Sequence, residues 1–191
     1  MSRAAPPDAT HEPGAVSPWF SEQRERLAAA SQLGPIVDLA CGRGRHLRAC
    51  AEAGWPSLGI DRNPDFLSEA RAAIQAPSAA VAGCVRSDIE AAPFLPVKAG
   101  SCGAILVFRF LFRPLAPRLI EALAPGGLLV YETFTWRQPE LGWGPRRPEF
   151  LLAEAELPEL FAGLEILAHD EGLREDVARP EYSARLLARR P

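Results

Sequence analysis

Several features that would point to particular protein classes are scarce or absent in this chain. Of its 21 lysine and arginine residues only Lys98 is lysine, and with 24 acidic residues the formal net charge is −3. A chain without a basic excess lacks the electrostatic field of a typical nucleic-acid-binding protein. The few cysteines, Cys41, Cys50, Cys84 and Cys102, have neither the paired spacing of a zinc site nor the context of a disulfide framework. We therefore predict no metal site and a reducing compartment.

Long apolar runs are missing as well. No stretch is long enough to span a bilayer, and the amino terminus lacks the charged start and apolar run of a secretory signal. We therefore expect a soluble, cytoplasmic protein. The 191 residues fit a single domain. Residues 1–16 mix proline, alanine and charge without periodicity, which predicts a mobile tail followed by one domain over 17–191.

The most informative segment that is present runs from Ile36 to His46, where an apolar strand leads into a glycine loop that opens a helix. Gly42 and Gly44 allow the backbone to approach a ligand closely, and the first turn of the helix offers unpaired N–H groups. This combination predicts a site for a cofactor that contains a nucleoside.

Two carboxylates indicate which cofactor this is. Asp61 ends the next short strand, where it can accept hydrogen bonds from both hydroxyls of a ribose. The third glycine of a dinucleotide fingerprint is replaced by Leu47, which argues against NAD. Asp38, just before the loop, would repel a pyrophosphate but suits the ammonium and sulfonium of S-adenosylmethionine. The alternative for Asp38 is a buried acid that caps the glycine loop.

Strand and helix patterns alternate after the loop, which predicts an α/β fold with a parallel sheet, right-handed crossovers and helices on both faces. Asn63-Pro64 begins one helix, and two later apolar stretches, 164–168 and 182–188, predict a hairpin. Further strands are expected at 81–86, 104–108 and, after the turn at Pro125-Gly126-Gly127, at 128–133.

A first helix is expected to begin at Ser17-Pro18, because serine is a good N-cap and proline suits the first helical position. This helix either covers the cofactor cleft as a lid or packs Trp19 and Phe20 against the sheet. The sequence leaves both alternatives open.

Five motifs in order resemble class I S-adenosylmethionine-dependent methyltransferases. They are VDLACGRGRH, GIDRNP, VRSDIE, GAILVF and PGGLLVYETF, and the resemblance extends from about Gly34 to Arg190. Within this class the chain is most similar to small bacterial tellurite-resistance-type methyltransferases. The resemblance implies a three-layer Rossmann-like fold with a mostly parallel seven-stranded sheet and an antiparallel last strand. It also implies S-adenosyl-L-methionine as cofactor and S-adenosyl-L-homocysteine as product.

The resemblance assigns roles to residues after the first three strands. Asp88 would accept a hydrogen bond from the adenine amino group and the Ile89 N–H would meet a ring nitrogen, although Asp88 also fits an ordinary turn. Ala40 stands where glycine is commonest, and it permits close approach if its φ is negative. The predicted cofactor-binding residues are Asp38, Ala40, Cys41, Gly42, Gly44, Asp61, Arg62, Asp88, Ile89 and Phe108.

The acceptor side is predicted at the ends of the fourth and fifth strands. The sequence has no Asp/Asn-Pro-Pro-Tyr/Phe segment, which binds a planar amino group in methyltransferases that act on adenine or glutamine nitrogen. Methylation of amide or base nitrogens is therefore less favoured. The loop 136–148 contains the adjacent arginines Arg146 and Arg147, which suit an anionic or planar acceptor. The alternative is that Glu132 forms an ion pair with one of these arginines and fixes the position of the loop. Phe110 and Phe112 either face the sulfonium or pack in the core. The predicted substrate-binding residues are Phe110, Phe112, Arg113, Arg146 and Arg147.

These features predict a methyltransferase that acts on a small molecule by in-line displacement. Glu132 and Arg109 are the catalytic candidates, and an alcohol or amine acceptor would need Glu132 or His46 as a general base. A tRNA or protein methyltransferase remains an alternative, with a docking face formed by Arg113, Arg118, Arg146 and Arg147. A second alternative is a protein that binds S-adenosylmethionine without catalysing a reaction. A dinucleotide oxidoreductase is the weakest alternative.

Overall fold

The computed structural model describes residues 15–74, 82–91 and 94–191. The predicted tail therefore lies almost wholly outside the described residues, as does residue 81 of the expected third strand. The division into a tail and a single domain stays a prediction. Among the residues described, no helix has the length and apolar character that crossing a membrane requires.

The described residues form seven strands and six α-helices. The strands are β1 (Ile36–Leu39), β2 (Ser57–Asp61), β3 (Ala82–Arg86), β4 (Cys102–Phe108), β5 (Leu123–Phe134), β6 (Glu165–Arg174) and β7 (Glu181–Arg189). The helices are α1 (Pro18–Glu22), α2 (Arg24–Ala30), α3 (Arg45–Glu52), α4 (Pro64–Ala73), α5 (Ala116–Ala122) and α6 (Glu156–Leu160). Short 3₁₀ helices occur at Arg113–Leu115, Gln138–Leu141 and Pro148–Phe150.

The strands form one sheet in the order β3-β2-β1-β4-β5-β7-β6. β1 pairs in parallel with β2 and β4, β2 with β3, and β4 with β5. β7 is antiparallel to both of its neighbours. The predicted fold, a mostly parallel seven-stranded sheet with an antiparallel last strand, is confirmed.

Alternating residues of the central strands supply a core on each face of the sheet, as period-two side-chain direction requires. On one face Val37, Ile105 and Leu129 pack with residues of α5 and α6 such as Leu119 and Leu157. The opposite face carries the second cluster, which is made of Trp19, Phe20, Leu27, Ile36, Cys50, Ala104, Leu106, Phe108, Val130 and Leu187, among others. Helices therefore cover both faces, as predicted.

Local capping explains where two helices start. The Ser17 hydroxyl accepts a hydrogen bond from the Trp19 N–H, and the Asn63 side chain accepts from the N–H groups of Asp65 and Phe66. In both helices proline follows the cap, where its missing N–H costs no helical hydrogen bond. Both predicted starts are confirmed.

The first helix packs on the sheet. The pattern predicted one helix, but Gln23 divides the segment into α1 and α2. Phe20 is fully buried and Trp19 is 6% exposed, both in the second core cluster. Of the two alternatives for these aromatic residues, the structure shows the packed one.

β5 begins earlier than the predicted 128–133. Leu123 already pairs with Cys102, while Leu128 pairs with Ala104, so the Pro125-Gly126-Gly127 segment forms a bulge inside the strand. Gly126 has a φ of +79°, and a Cβ on Gly127 would lie 2.8 Å from the carbonyl oxygens of Ala124 and Cys102. Glycine is required there because no side chain fits.

Candidate active site

The glycine loop between β1 and α3 is held by Asp61. One carboxylate oxygen of Asp61 accepts from the Gly42 N–H at 2.8 Å and the other from the Asn63 N–H at 2.8 Å. Asp61 therefore joins the loop to the end of β2. Each oxygen retains a second lone pair, so the same carboxylate can still accept from a ligand hydroxyl.

The two loop glycines serve different purposes. Gly42 has a φ of +54°, and a Cβ built on it meets no atom within 4 Å, so this part of the loop borders open space. Gly44 has a φ of +80°, and a Cβ there would lie 2.7 Å from the Cβ of Ala70. Packing against α4 is therefore enough to require glycine at position 44, and the role of Gly44 toward a ligand stays a prediction.

Ala40 and Cys41 complete the loop. The φ of Ala40 is +53°, so the negative φ on which close approach at this alanine was conditional is not observed. An alanine in the left-handed region carries a backbone cost of about 1–2 kcal/mol. Cys41 is buried with its sulfur against Gly59, where a Cβ would lie 2.9 Å from Sγ. Burial raises the pKa of the Cys41 thiol, so this cysteine packs as a small apolar residue.

Asp38 is buried on β1, with 3% exposure. It accepts a hydrogen bond from the backbone of Leu47, while its Oδ2 has no hydrogen-bond partner in the described part of the chain. Burial raises the pKa of Asp38 to about 7, although the nearby Arg45 guanidinium lowers it. A buried carboxylate oxygen without a donor is costly, and an ammonium group would satisfy it.

A first cavity of about 170 Å³ opens at the carboxyl ends of the parallel strands. Asp61 and Asp88 are on its wall, together with the apolar side chains of Ile60, Ile89 and Leu111. Asp88 is exposed, and its carboxylate accepts from the N–H groups of Glu90 and Ala91 at 3.2 Å. The predicted residues that line this cavity are Ala40, Asp61, Arg62, Asp88, Ile89, Arg109 and Phe110.

A second cavity of about 260 Å³ lies beside the first, and Arg109 borders both. The segment from Ala15 to Pro18, which leads into α1, forms one wall. Its other lining residues are Arg45, Arg109, Glu132, Asp176, Val177 and Ala178. Both cavities have charged groups of both signs, and the first also has several apolar side chains in its wall.

Glu132 contacts the amino-terminal segment and β7. It is 1% exposed, accepts from the Ser17 hydroxyl at 3.0 Å and from Arg185 Nε at 2.9 Å, and pairs in register with Arg185. The expected pairing of Glu132 with Arg146 or Arg147 is wrong. These arginines are exposed on a distant part of the loop, where Arg146 donates to the Gly142 carbonyl and Arg147 pairs with Glu149.

Arg109 follows β4 in a left-handed conformation with a φ of +57°. It pairs with the buried Glu181, and its guanidinium lies 5.3 Å from the centre of the Phe134 ring. Burial lowers the pKa of Arg109 and raises that of Glu181. The pair holds Arg109 at the boundary of the two cavities.

Three other predicted residues do not line either cavity. Phe108 is buried against His46, with ring centres 4.1 Å apart, and Phe112 packs on the first core cluster. Arg113 forms an ion pair with Glu156 and donates to the carbonyls of Glu149 and Leu151. Phe108 and Phe112 therefore pack in the interior, and Arg113 holds two loop segments together through its ion pair and hydrogen bonds. The geometry does not support the predicted contacts of these three residues with ligands.

His46 also has a structural role. It is 2% exposed between Phe20 and Phe108, and its Nε2 accepts a hydrogen bond from the Ser17 N–H at 3.1 Å. An imidazole nitrogen that accepts from a backbone N–H is not available to take a proton from an acceptor. This geometry does not favour His46 as the general base.

Sequence reasoning missed several residues around the second cavity. Arg45, Ser17 and Asp176 line it, while Glu181 and Arg185 pair with its charged groups. One signal was present, because Glu181, Ser183 and Arg185 are polar at every second position of an otherwise apolar strand. All three are buried on one face, at 1%, 0% and 4% exposure.

Comparison with known proteins gives a match to one protein family. Residues 36–127, 92 of the 191, match a family model described as a methyltransferase domain. This segment of the chain is therefore similar to methyltransferases. It runs from β1 to the bulge in β5, so it includes the glycine loop, Asp61 and Asp88. None of the curated protein sequences has a significant match to this chain.

Several solved structures share the fold of this chain. A protein of echinomycin biosynthesis, where a disulfide bond is converted into a thioacetal group, has a TM-score of 0.69 at 20% identity, with 92% of this chain and 82% of that chain covered. TehB from Haemophilus influenzae has a TM-score of 0.67 at 22% identity, with 88% of this chain and 62% of TehB covered. A SAM-dependent methyltransferase from Methanosarcina mazei has a TM-score of 0.66 at 17% identity, with 92% of this chain and 98% of that chain covered. The chain thus spans less than two thirds of TehB.

The similarity to methyltransferases implies S-adenosylmethionine as cofactor, and the residues present fit this group. The Oδ2 of Asp38, which has no hydrogen-bond partner among the described residues, suits an ammonium group, and the open space beside Gly42 leaves room for a ligand along the loop. The roles of individual residues toward the cofactor stay predictions.

Proposed function

We propose that this protein is a methyltransferase that binds S-adenosylmethionine in the first cavity and transfers its methyl group to a small molecule. The observation that carries the proposal is the position of Asp61. It lies at the end of β2, reaches the glycine loop through Gly42 and borders a cavity with apolar walls. A carboxylate in this place recognises a ribose diol and repels a phosphate.

Each part of the cofactor has a partner of fitting chemistry. The ribose hydroxyls would donate to Asp61, and the adenine would lie between apolar side chains such as Ile60 and Ile89, with its amino group toward Asp88. Asp38 would accept from the ammonium group. Arg62 is held by Glu90 at 2.9 Å and borders the same cavity near Asp61.

The bound cofactor supplies an electrophilic methyl group, and the chain contributes position and exclusion of water. Alignment of a nucleophile with the methyl group in a closed pocket contributes several kcal/mol, on the order of 7 or more in well-oriented cases. Arg109 and its neighbour Phe134 separate the two cavities, so they are placed to orient an acceptor.

The acceptor is proposed to be a soft nucleophile, such as a thiolate or a selenium or tellurium anion, that needs no general base. Glu132 already accepts from Ser17 and Arg185, and His46 accepts from the Ser17 backbone. A base that is committed to an ion pair is a poor proton acceptor, because the cation stabilises its ionised form. We therefore propose that Glu132 organises the second cavity and that Arg109 is the residue nearer the reacting groups.

A small acceptor is favoured over tRNA or protein because the arginines of the alternative docking face are engaged. Arg113 pairs with Glu156, Arg118 with Glu121 and Arg147 with Glu149. Paired arginines contribute little to a phosphate-binding field. We also propose a cytoplasmic location, since the four cysteines are free thiols.

Calorimetric titration of the protein with S-adenosylmethionine, S-adenosylhomocysteine and NAD tests the cofactor. Binding of the first two without NAD is expected. Asp61→Ala should weaken it about tenfold to a hundredfold, which corresponds to loss of a charged hydrogen-bond acceptor. Asp65→Ala, an exposed position on α4, is the matched control and should bind normally. Binding of NAD alone, or an unchanged affinity of Asp61→Ala with a normal melting temperature, would overturn the proposal.

A further inference from the structure

The first cavity has a polar side and an apolar side, which the order of the strands separates. Asp88 follows β3 and Asp61 ends β2, whereas Phe110 follows β4 and Phe134 ends β5. Neighbouring strands lie about 4.8 Å apart, so the strands that carry Asp61 and Phe134, with β1 and β4 between them, are separated by roughly 14 Å. The two carboxylates and the aromatic rings therefore border opposite sides of the same cavity.

The loop that follows β5 completes the apolar side. Pro145, which is buried, and the half-buried Phe150 line the cavity from this loop. Together with Phe110, Leu111 and Phe134 they form an apolar wall. Three of its five members are aromatic, so the wall presents ring faces and edges to a ligand.

A small core of its own holds this loop in place. Phe134, Trp143 and Leu151 form a third buried cluster, and the ring centres of Phe134 and Trp143 are 5.8 Å apart. Gln138, which is fully buried, donates to the Trp143 carbonyl at 3.1 Å and accepts from the Tyr182 N–H at 2.8 Å. A wall that is fixed in advance favours ligands of matching shape, because binding does not have to order it.

The proposed position of the cofactor directs its methyl group toward the apolar wall. In that position the adenine lies toward Asp88 and the ribose lies at Asp61. The sulfonium is bonded to the 5′ carbon of this ribose, away from the adenine, so the methyl group faces β1 and β4 rather than β3. An acceptor in line with the methyl group therefore lies over β4 and β5, against Phe110, Phe134 and Phe150.

We propose, on the basis of the proposed function, that the acceptor is a thiol with an apolar body about the size of a ring, and that Phe150 determines this specificity. A ring gains from burial against aromatic side chains. A small hydrophilic acceptor would give up hydration at this wall and receive no hydrogen bond from it. Arg109 also borders this side, but its charge is balanced by Glu181 and its guanidinium lies 5.3 Å from the centre of the Phe134 ring.

The transfer to a thiol balances without a further reactant. The thiol gives its proton to solvent, and the thiolate is the nucleophile. Its sulfur forms a bond to the methyl carbon while the bond from that carbon to the sulfonium breaks. The electron pair of the broken bond stays on the sulfur of S-adenosylhomocysteine, and the acceptor leaves as a methyl thioether.

Methyl transfer to three thiols tests the apolar wall. Phenylmethanethiol has a ring, 2-mercaptoethanol a hydroxyl and mercaptoacetate a carboxylate, and in all three the sulfur is attached to a CH₂ group. Initial rates of S-adenosylhomocysteine formation give kcat/KM for each thiol, and mass spectrometry identifies the thioether. The variants are Phe150→Ala and Phe150→Leu, with Trp136→Ala, an exposed aromatic position on the same loop, as the matched control. Calorimetry gives the affinity of each variant for S-adenosylhomocysteine, and its melting temperature shows that it is folded.

The wild type should prefer the apolar thiol. We expect kcat/KM for phenylmethanethiol to exceed the values for the two polar thiols by about tenfold or more. Phe150→Ala should lower kcat/KM for phenylmethanethiol about tenfold and Phe150→Leu much less, since leucine keeps an apolar side chain there. Both variants should bind S-adenosylhomocysteine as the wild type does, and Trp136→Ala should match the wild type in both measurements.

Several results would overturn the apolar acceptor. Equal or faster turnover of the polar thiols is one, and a preference for phenylmethanethiol that Phe150→Ala leaves unchanged removes Phe150 as its determinant. A loss of S-adenosylhomocysteine affinity in Phe150→Ala that equals its loss of turnover would place Phe150 in the cofactor site instead. A protein that binds S-adenosylhomocysteine but methylates none of the three thiols refutes the thiol and leaves the cofactor site intact. A protein that does not bind S-adenosylhomocysteine refutes the proposed function itself.

Discussion

Replacement of Asp38 by asparagine is expected to remove a pH-dependent loss of stability. The pKa of Asp38 is about 7 in the folded chain because of burial, against an ordinary value of 3.8. Between these values the folded state holds a proton that the unfolded state has lost, so stability falls as the pH rises. At about 1.4 kcal/mol for each pKa unit, the full effect is about 4 kcal/mol, and it is complete above about pH 7.

The measurement is urea unfolding of the wild type and Asp38→Asn at pH 5 and pH 7.5. Other carboxylates titrate in both proteins, so the difference in unfolding free energy isolates Asp38. We expect this difference to shift in favour of the variant by about 2.5 kcal/mol between the two pH values. Glu154→Gln, an exposed acid in a loop, should show no such shift. A difference between Asp38→Asn and wild type that stays constant from pH 5 to pH 7.5 would refute the reasoning.

Three further changes test other parts of the account. Ala40→Gly should raise the unfolding free energy by up to about 1 kcal/mol in thermal melts, because it relieves a φ of +53°, and a decrease would contradict that strain. Glu132→Gln should lower the free energy of unfolding by up to about 3–5 kcal/mol, since the buried Arg185 guanidinium then keeps only its longer contacts with the exposed Asp176 and Glu22, at 3.5 and 3.9 Å. A normal melting temperature with lost activity would instead support a general base. Arg113→Ala should lower the free energy of unfolding by about 1.5–3 kcal/mol and leave the affinity for S-adenosylhomocysteine unchanged. Arg118→Ala, at an exposed position, is the control. Weaker binding of S-adenosylhomocysteine by a folded Arg113→Ala variant would show that Arg113 does act in the site.

Much of the fold was predictable because its signals are local. Buried strands followed by the glycine loop, the N-caps at Ser17 and Asn63, and the alternation of strand and helix all depend on residues a few positions apart. The carboxyl ends of parallel strands meet at one edge of the sheet. This rule brought Asp61 and Asp88 together from sequence alone.

The polar network was not predictable because it depends on tertiary register. Glu132 meets Arg185 only because β7 inserts antiparallel beside β5, and no local pattern chooses Arg185 over the nearby Arg146 and Arg147. Ala40 shows a second limit. Its left-handed conformation is imposed by the loop that Asp61 holds, against the preference of alanine itself.

The most direct test of the central claim is a crystal structure of the protein with S-adenosylhomocysteine. The account predicts the ligand in the first cavity, with both ribose hydroxyls within about 3.2 Å of the Asp61 carboxylate, the adenine amino group toward Asp88 and the ammonium group at Asp38 Oδ2. A ligand bound elsewhere, or a ribose in this cavity without a hydrogen bond to Asp61, would contradict it.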